Sequence, residues 1–332
     1  MTGRGWLATD SRETRIRIGD RWQTVEPALC DVDALLADTD RAGISVRVIS
    51  LPPFLLRHDL DPADGIVYSR AMNDGLRAVA ASFRDRLRVL ATVPLQAPAA
   101  AADELRRATL ELGFVGAEIA TNVAARMDLD ALDLEPFWGA AESLGAIVLI
   151  HPHDVRGAER MHGYHLRNLI GNPLETAAAA ACLVFGGVLA RHPGLRIVLS
   201  HGGGAFPWLL GRLDRGFAVR PECRTVETPP SEWAKRFLYD SVVFDGRMLA
   251  ALAAWVGADR VVVGTDFPFD MRDPDPVGVI QAAIPDRPAQ EAILRGNASA
   301  LLDGQGRAPN TASRDRDTAH HDARDGKRRE SQ

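Results

Sequence analysis

The chain has 332 residues, 46% of them apolar and 25% charged, with a formal net charge of −5. That is ordinary globular composition, and the length allows one large or two modest domains. Only Lys235 and Lys327 are lysines and the arginines are scattered, so the chain has no basic block and nucleic acid is not expected as its partner. Three cysteines, Cys30, Cys182 and Cys223, share no close spacing, which argues against a disulfide framework or a cysteine-type zinc module. The uncharged run from Thr176 to Ala190 falls short of the roughly 20 residues a bilayer requires, so no membrane partner is expected. The opening MTGRGWLATDSRETR lacks the apolar stretch of a signal peptide, and the cytoplasm is the expected compartment.

Residues 1–30 read as a polar extension in which Thr14–Gly19 and Arg21–Val25 pair as a hairpin around Gly19-Asp20. Beyond it, short apolar runs alternate with alanine- and leucine-rich stretches of helical spacing. Strands are predicted at 45–51, 87–95, 114–121, 146–153, 195–203, 237–244 and 260–266, each apolar on both faces as in a buried parallel sheet. Helices are predicted at 31–42, 64–84, 98–112, 131–144, 173–191, 205–216, 246–256 and 288–302. Trp138, Trp208, Trp233 and Trp255 are expected to pack against the barrel. Repeated βα units, with no glycine fingerprint after the first strand, point to a (β/α)8 TIM barrel over 31–302 that lacks its first strand. Residues 303–332 carry almost no large apolar side chain and read as a disordered tail, in which His320-His321 is composition rather than a metal site.

Barrels of this kind place reactive groups at the C-terminal ends of their strands. The run at 146–153 ends in His151-Pro152-His153, the next in Ser200-His201 followed by three glycines, and the last in Gly264-Thr265-Asp266. Three strands thus bring imidazoles and a carboxylate to one rim, the donor types of a catalytic zinc with an open position. A lone strand-end histidine is usually structural, and a lone Thr-Asp often caps a helix. Phe267-Pro268-Phe269 delays any helix here, and the joint pattern favours the metal. His153 is an outer partner for a metal-bound imidazole or a plain surface residue. Arg212 is a carboxylate fork or a solvated arginine.

The stretches His151-Pro152, Gly171-Asn172-Pro173-Leu174-Glu175-Thr176, Gly186-Gly187-Val188, Ser200 to Pro221, Gly264 to Phe269 and Gly296-Asn297-Ala298 resemble the amidohydrolase superfamily. Within it they are similar to the branch of metal-dependent decarboxylases typified by 2-amino-3-carboxymuconate-6-semialdehyde decarboxylase, from about Asp31 to Leu302. The resemblance implies that His151 and Asp266 bind zinc or another divalent metal, with His201 the general acid/base beside Asp266. It also implies that Arg212 grips a substrate carboxylate at the neighbouring subunit's site in a homodimer. The implied reaction is loss of CO₂ from a small unsaturated or aromatic carboxylic acid. Two departures stand out. Members of the family begin with a strand ending in His-X-His, and no such motif precedes His151, so both the strand and the ligand count fall short at one place. The expectation is that the chain as given starts late. Asn168 stands in a substrate-contacting loop where that decarboxylase carries tryptophan, which points away from its substrate. Alternatives are His151 and His153 as the missing pair, a hydrolase or hydratase on the same site, and a metal-poor inactive barrel.

Overall fold

The computed structural model describes residues 7–10, 15–18 and 21–303. The expected tail, with His320-His321, and the Gly19-Asp20 turn lie outside the described residues. Strands β1 (Leu7–Asp10), β2 (Arg15–Ile18) and β3 (Arg21–Thr24) form an antiparallel sheet in the order β1-β2-β3. β2 and β3 are the expected hairpin, and β1 is an addition to it. Ile16 and Val25 are buried against Leu51 and Leu55. Helix α1 (Val32–Arg41) follows, its first turn capped by the Asp31 carboxylate, which accepts from the Asp33 and Ala34 backbone nitrogens.

Then come β4 (Arg47–Ile49), α2 (Pro62–Ala80), β5 (Leu87–Ala91), α3 (Pro98–Leu110) and β6 (Gly116–Ala120). A small ribbon of β7 (Asn122–Val123) and β8 (Met127–Asp128) leads to α4 (Glu135–Leu144) and β9 (Ile147–His151). The helix expected over 173–191 breaks at Gly186-Gly187 into α5 (Asn172–Phe185) and α6 (Val188–Arg191). After β10 (Arg196–Leu199) and α7 (Phe206–Val219) lies a short α8 (Pro230–Ala234), then β11 (Leu238–Asp240), α9 (Gly246–Val256) and β12 (Val261–Val262). Helix α10 (Pro276–Ala283), capped by Asp275, was hidden by its proline-rich approach. The helix expected over 288–302 is α11 (Arg287–Glu291) and α12 (Asn297–Asp303), separated by a widened turn at Ala292–Gly296.

The seven strands β4 to β12 that make the main sheet are all parallel, in the order β12-β11-β10-β9-β6-β5-β4. That order runs monotonically along the chain. A doubly wound sheet would reverse direction, so this curled sheet is a TIM-type barrel without its first strand among the described residues, with β4 and β12 as its edges. Buried Arg47 pairs with Asp38 at 3.0 Å and lies 5.0 Å over the Phe267 ring, tying α1, β4 and the segment after β12 together.

Alternate residues along the strands divide the core. Val89, Ala91, Ala117, Ile119, Val148, Ile150, Ile197 and Leu199 face the helices. Leu90, Ile147, Val198, Leu238 and Val262 fill the barrel interior. At Gly116, φ is 155° and a Cβ would stand 1.9 Å from the Ile147 carbonyl oxygen, so only glycine lets β6 meet β9 there. Buried Asn73 on α2 donates to the Thr92 carbonyl at 2.9 Å and to Glu104 at 2.7 Å, and accepts from Thr92 N at 3.0 Å. This network fixes α2 and α3 to the end of β5. Of the tryptophans, Trp138 is fully buried as expected. Trp208 and Trp255 are not: 39% and 48% exposed, they meet edge to face at 4.7 Å on the surface, because each shields the other. The three cysteines are free, and no helix among the described residues is long and apolar enough to cross a membrane.

Candidate active site

His151 ends β9, His201 follows β10, and Asp266 follows β12, and their ligand atoms all lie within 4.8 Å of one another. His151 Nε2 stands 3.7 Å from Asp266 Oδ1, and His201 Nε2 stands 3.6 Å from Asp266 Oδ2. The two imidazoles meet at 4.8 Å between ring centres, inclined by 72°. His201 and Asp266 both have positive φ, 55° and 53°, a conformation uncommon for such residues and concentrated at functional sites.

The surrounding backbone explains the placement. Asp240, at the end of β11, accepts from Gly202 N at 2.8 Å and Val242 N at 3.0 Å, which pins the glycine turn after His201. Gly203 has φ 78°, and a Cβ there would stand 2.7 Å from the Tyr239 ring. Ser241 Oγ accepts from Gly264 N at 3.1 Å, and Thr265 O accepts from Asp273 N at 2.9 Å. These bonds end β12 early and turn Asp266 toward the histidines. No helix starts until α10, so Asp266 is not an N-cap.

His151 Nδ1 lies 3.1 Å from the Pro152 carbonyl oxygen, which can only accept. The ring proton is therefore on Nδ1, and the Nε2 lone pair faces the site, buried and without a hydrogen-bond partner. Burial pulls the His151 pKa down, but Asp266 and the charge of Glu118 outweigh it and leave the group raised. Burial pushes Asp266 up, yet His151 and His201 hold it well below the usual carboxylate range. Two donors about 2.1 Å from one ion at angles near 120° stand roughly 3.6 Å apart, which matches the two nitrogen–oxygen gaps. An orphaned imidazole lone pair, an anionic carboxylate and these separations fit a divalent metal ion.

The remaining expected residues spread around the rim. His153 points its Nε2 at Asp154 Oδ1, 3.5 Å away, while its carbonyl accepts from Thr121 and Asn122, each at 3.3 Å. Asn168 is half-buried in a wide turn over Arg167–Gly171, its backbone nitrogen bonded to the His165 carbonyl. Arg212 is exposed on α7. Glu118 escaped the sequence reading. Glu118 is the one charged residue in β6 and is 2% exposed inside the barrel. His58, after β4, is 4% exposed with both ring nitrogens unpartnered. A further grouping of Asp128, Asp130 and Cys182 stands apart from the rim, with Asp128 already paired to Arg156.

The amidohydrolase family profile matches residues 20–304. A 2-amino-3-carboxymuconate-6-semialdehyde decarboxylase of Dictyostelium discoideum is 33% identical over 305 residues, covering 90% of this chain and 85% of its own. A gamma-resorcylate decarboxylase of Rhodococcus jostii is 32% identical over 275 residues, covering 76% and 82%. Among solved structures, a dihydroxybenzoic acid decarboxylase from Polaromonas sp. JS666, with bound manganese and the inhibitor 2-nitroresorcinol, superposes with a TM-score of 0.75. It is 26% identical, over 82% of this chain and 86% of that one.

Proposed function

Because the chain belongs to the amidohydrolase family, we propose that it uses the rim of its barrel to remove CO₂ from a small aromatic or unsaturated carboxylic acid. It is a metal-dependent carboxy-lyase, as its relatives are. The observation that carries the reading is the meeting of His151, His201 and Asp266, delivered by three strands to one end of the barrel. His151 and Asp266 would hold the metal, which supplies positive charge to polarise substrate oxygens and acidify a bound water. Zinc is the proposed resident ion, since imidazole and carboxylate suit it, and manganese, the ion of the Polaromonas relative, is the second candidate.

Breaking the bond to CO₂ leaves an electron pair on carbon that must take a proton. His201 is proposed to deliver it, because its imidazole can carry a proton and its Nε2 stands at the rim facing Asp266. Asp266, 3.6 Å from His201 Nε2 and held anionic, steadies the protonated ring between turnovers. Arg212, exposed on α7, is proposed to fork a substrate carboxylate in the neighbouring subunit of a homodimer. Asn168 is proposed as a substrate contact from its wide turn, and His153 as an outer support of the rim. A second reading makes His201 a third metal ligand, since its Nε2 lies as near Asp266 as that of His151.

Metal-loaded protein incubated with 2,6-dihydroxybenzoate and related carboxylates should release CO₂. His201→Ala should keep the metal and lose turnover. Loss of the metal instead would make His201 a ligand, and lactone cleavage without CO₂ release would replace the lyase reading with a hydrolase.

A further inference from the structure

The ladders that hold β9 end at Ile150 on the β10 side and at His151 on the β6 side. Past His151, side chains take over. The His153 carbonyl accepts from Thr121 Oγ1 and Asn122 Nδ2, each at 3.3 Å, and the Asp154 carbonyl accepts from the same amide at 3.2 Å. Asn122 is fully buried, and its own amide is fixed at both ends. Its Oδ1 accepts from Ala125 N at 2.6 Å, and its Nδ2 also donates to Glu175 Oε2 at 2.9 Å. Glu175 lies in the first turn of α5 and is 6% exposed, and its other oxygen accepts from Arg156 N at 2.8 Å. One carboxylate thus joins the loop after β9, the segment after β6 and α5. Burying a charge is costly, and the hydrogen bonds give the reason for it. Arg156 N and Asn122 Nδ2 are both donors, so the group between them must accept on each side. A carboxylate does so, whereas a glutamine of the same length would turn its NH₂ toward one of the donors.

We propose that Glu175 is a positioning residue for the metal centre, holding the loop after β9 in the shape that keeps His151 aimed into the site. The path is short and made of hydrogen bonds. The Pro152 carbonyl, 3.1 Å from His151 Nδ1, belongs to the peptide next to the clamped His153 carbonyl. If the Asn122 amide swings away, the loop loses the bonds that set this carbonyl. The imidazole then loses the acceptor that keeps its proton on Nδ1 and its Nε2 lone pair toward the site. Asp154 in the same loop has a φ of 52°, a conformation its surroundings have to maintain. The wide turn that carries Asn168 runs straight into α5 and packs on this loop, since a Cβ at Gly171 would stand 2.6 Å from Val155 Cγ1. The clamp therefore sets the two rim segments against each other. The inference rests on the metal site assigned above and adds to it a residue outside its donor set.

The test is Mn²⁺ binding to chelator-stripped protein at pH 7.5, followed by calorimetry and by the electron paramagnetic resonance signal of the free ion. Glu175→Gln removes one of the two acceptors and should raise the Kd at least about tenfold, the scale seen when groups that orient metal ligands are lost. Asn73→Ala breaks the buried network between α2, α3 and β5, so it should destabilise the fold and leave the Kd unchanged. An unchanged Kd in Glu175→Gln overturns the positioning role and leaves the metal site standing. An equal rise in Asn73→Ala overturns it too, because lost stability alone would then account for the effect. No Mn²⁺ binding by the unmutated chain overturns both the role and the site. If Glu175→Gln fails to fold, Glu175→Asp answers. It keeps both acceptors but withdraws them by one methylene, so its Kd should rise at least about fivefold, and an unchanged Kd rejects the proposal.

Discussion

Two buried groups near the rim titrate in opposite senses, and their removal should tilt the pH dependence of stability in opposite directions. His58, after β4, is pulled down to about 4 by burial and by the neighbouring His153 charge, from an ordinary 6.5. Glu118 is pushed up to about 7 by burial, from 4.5. Between pH 6.5 and 4 the unfolded chain protonates His58 and the folded chain does not, so this group loses stability as pH falls. Between pH 7 and 4.5 the folded chain protonates Glu118 and the unfolded chain does not, so that group adds stability as pH falls. From pH 7.5 to 5 each contribution integrates to about 2 kcal/mol, of opposite sign, and the two nearly cancel. Urea unfolding of metal-free protein at several pH values separates them. Relative to the unmutated chain, His58→Gln should become about 2 kcal/mol more stable on going from pH 7.5 to 5, and Glu118→Gln about 2 kcal/mol less stable. The double variant should follow the unmutated slope. Comparing slopes removes whatever each substitution costs at fixed pH. Parallel curves for all four proteins would refute the assignment.

Asp266→Asn removes the carboxylate whose two oxygens face the two histidines, and metal content by mass spectrometry should fall from one ion per chain to near zero. Gly203→Ala puts a methyl group 2.7 Å from the Tyr239 ring at φ 78°. Strain and overpacking together should cost about 2–4 kcal/mol in denaturant melts and slow turnover, since the same turn carries His201. Asn73→Ala leaves Thr92 and Glu104 without their buried partner and should cost about 3 kcal/mol by the same measurement. Arg212→Ala should leave stability within about 0.5 kcal/mol, as expected for an exposed side chain, but raise KM for a carboxylate substrate. An unchanged KM would remove Arg212 from the site.

Much of this fold could be read from apolar runs alone. Each of the seven long runs became a strand of the main sheet, because a strand buried on both faces must be apolar at nearly every position. Elements without that signature were missed. β1 is only four residues long and exists through its pairing with β2, while α8 and α10 open on prolines that read as loop. The strand expected over 260–266 shrank to two residues, since beyond Val262 the backbone bonds go to Ser241 and Asp273 rather than to a ladder. The rim histidines and Asp266 were legible because polar residues ending apolar runs stand out.

Glu118 was not legible, and the reason is physical. In Gly-Ala-Glu-Ile-Ala it looks like an incidental charge at a strand's edge, and nothing in the local sequence says which face it takes. Two facts from elsewhere in the chain decide it. The helices behind β6 claim Ala117 and Ile119, so the carboxylate must turn inward, and the register with β9 then sets it beneath His151. A buried carboxylate oxygen without a donor is too costly to persist by accident. Burial penalises the charged form and pushes the Glu118 carboxyl up to about 7 against the pull of the His151 charge, so the face that the local sequence leaves open is what sets its protonation.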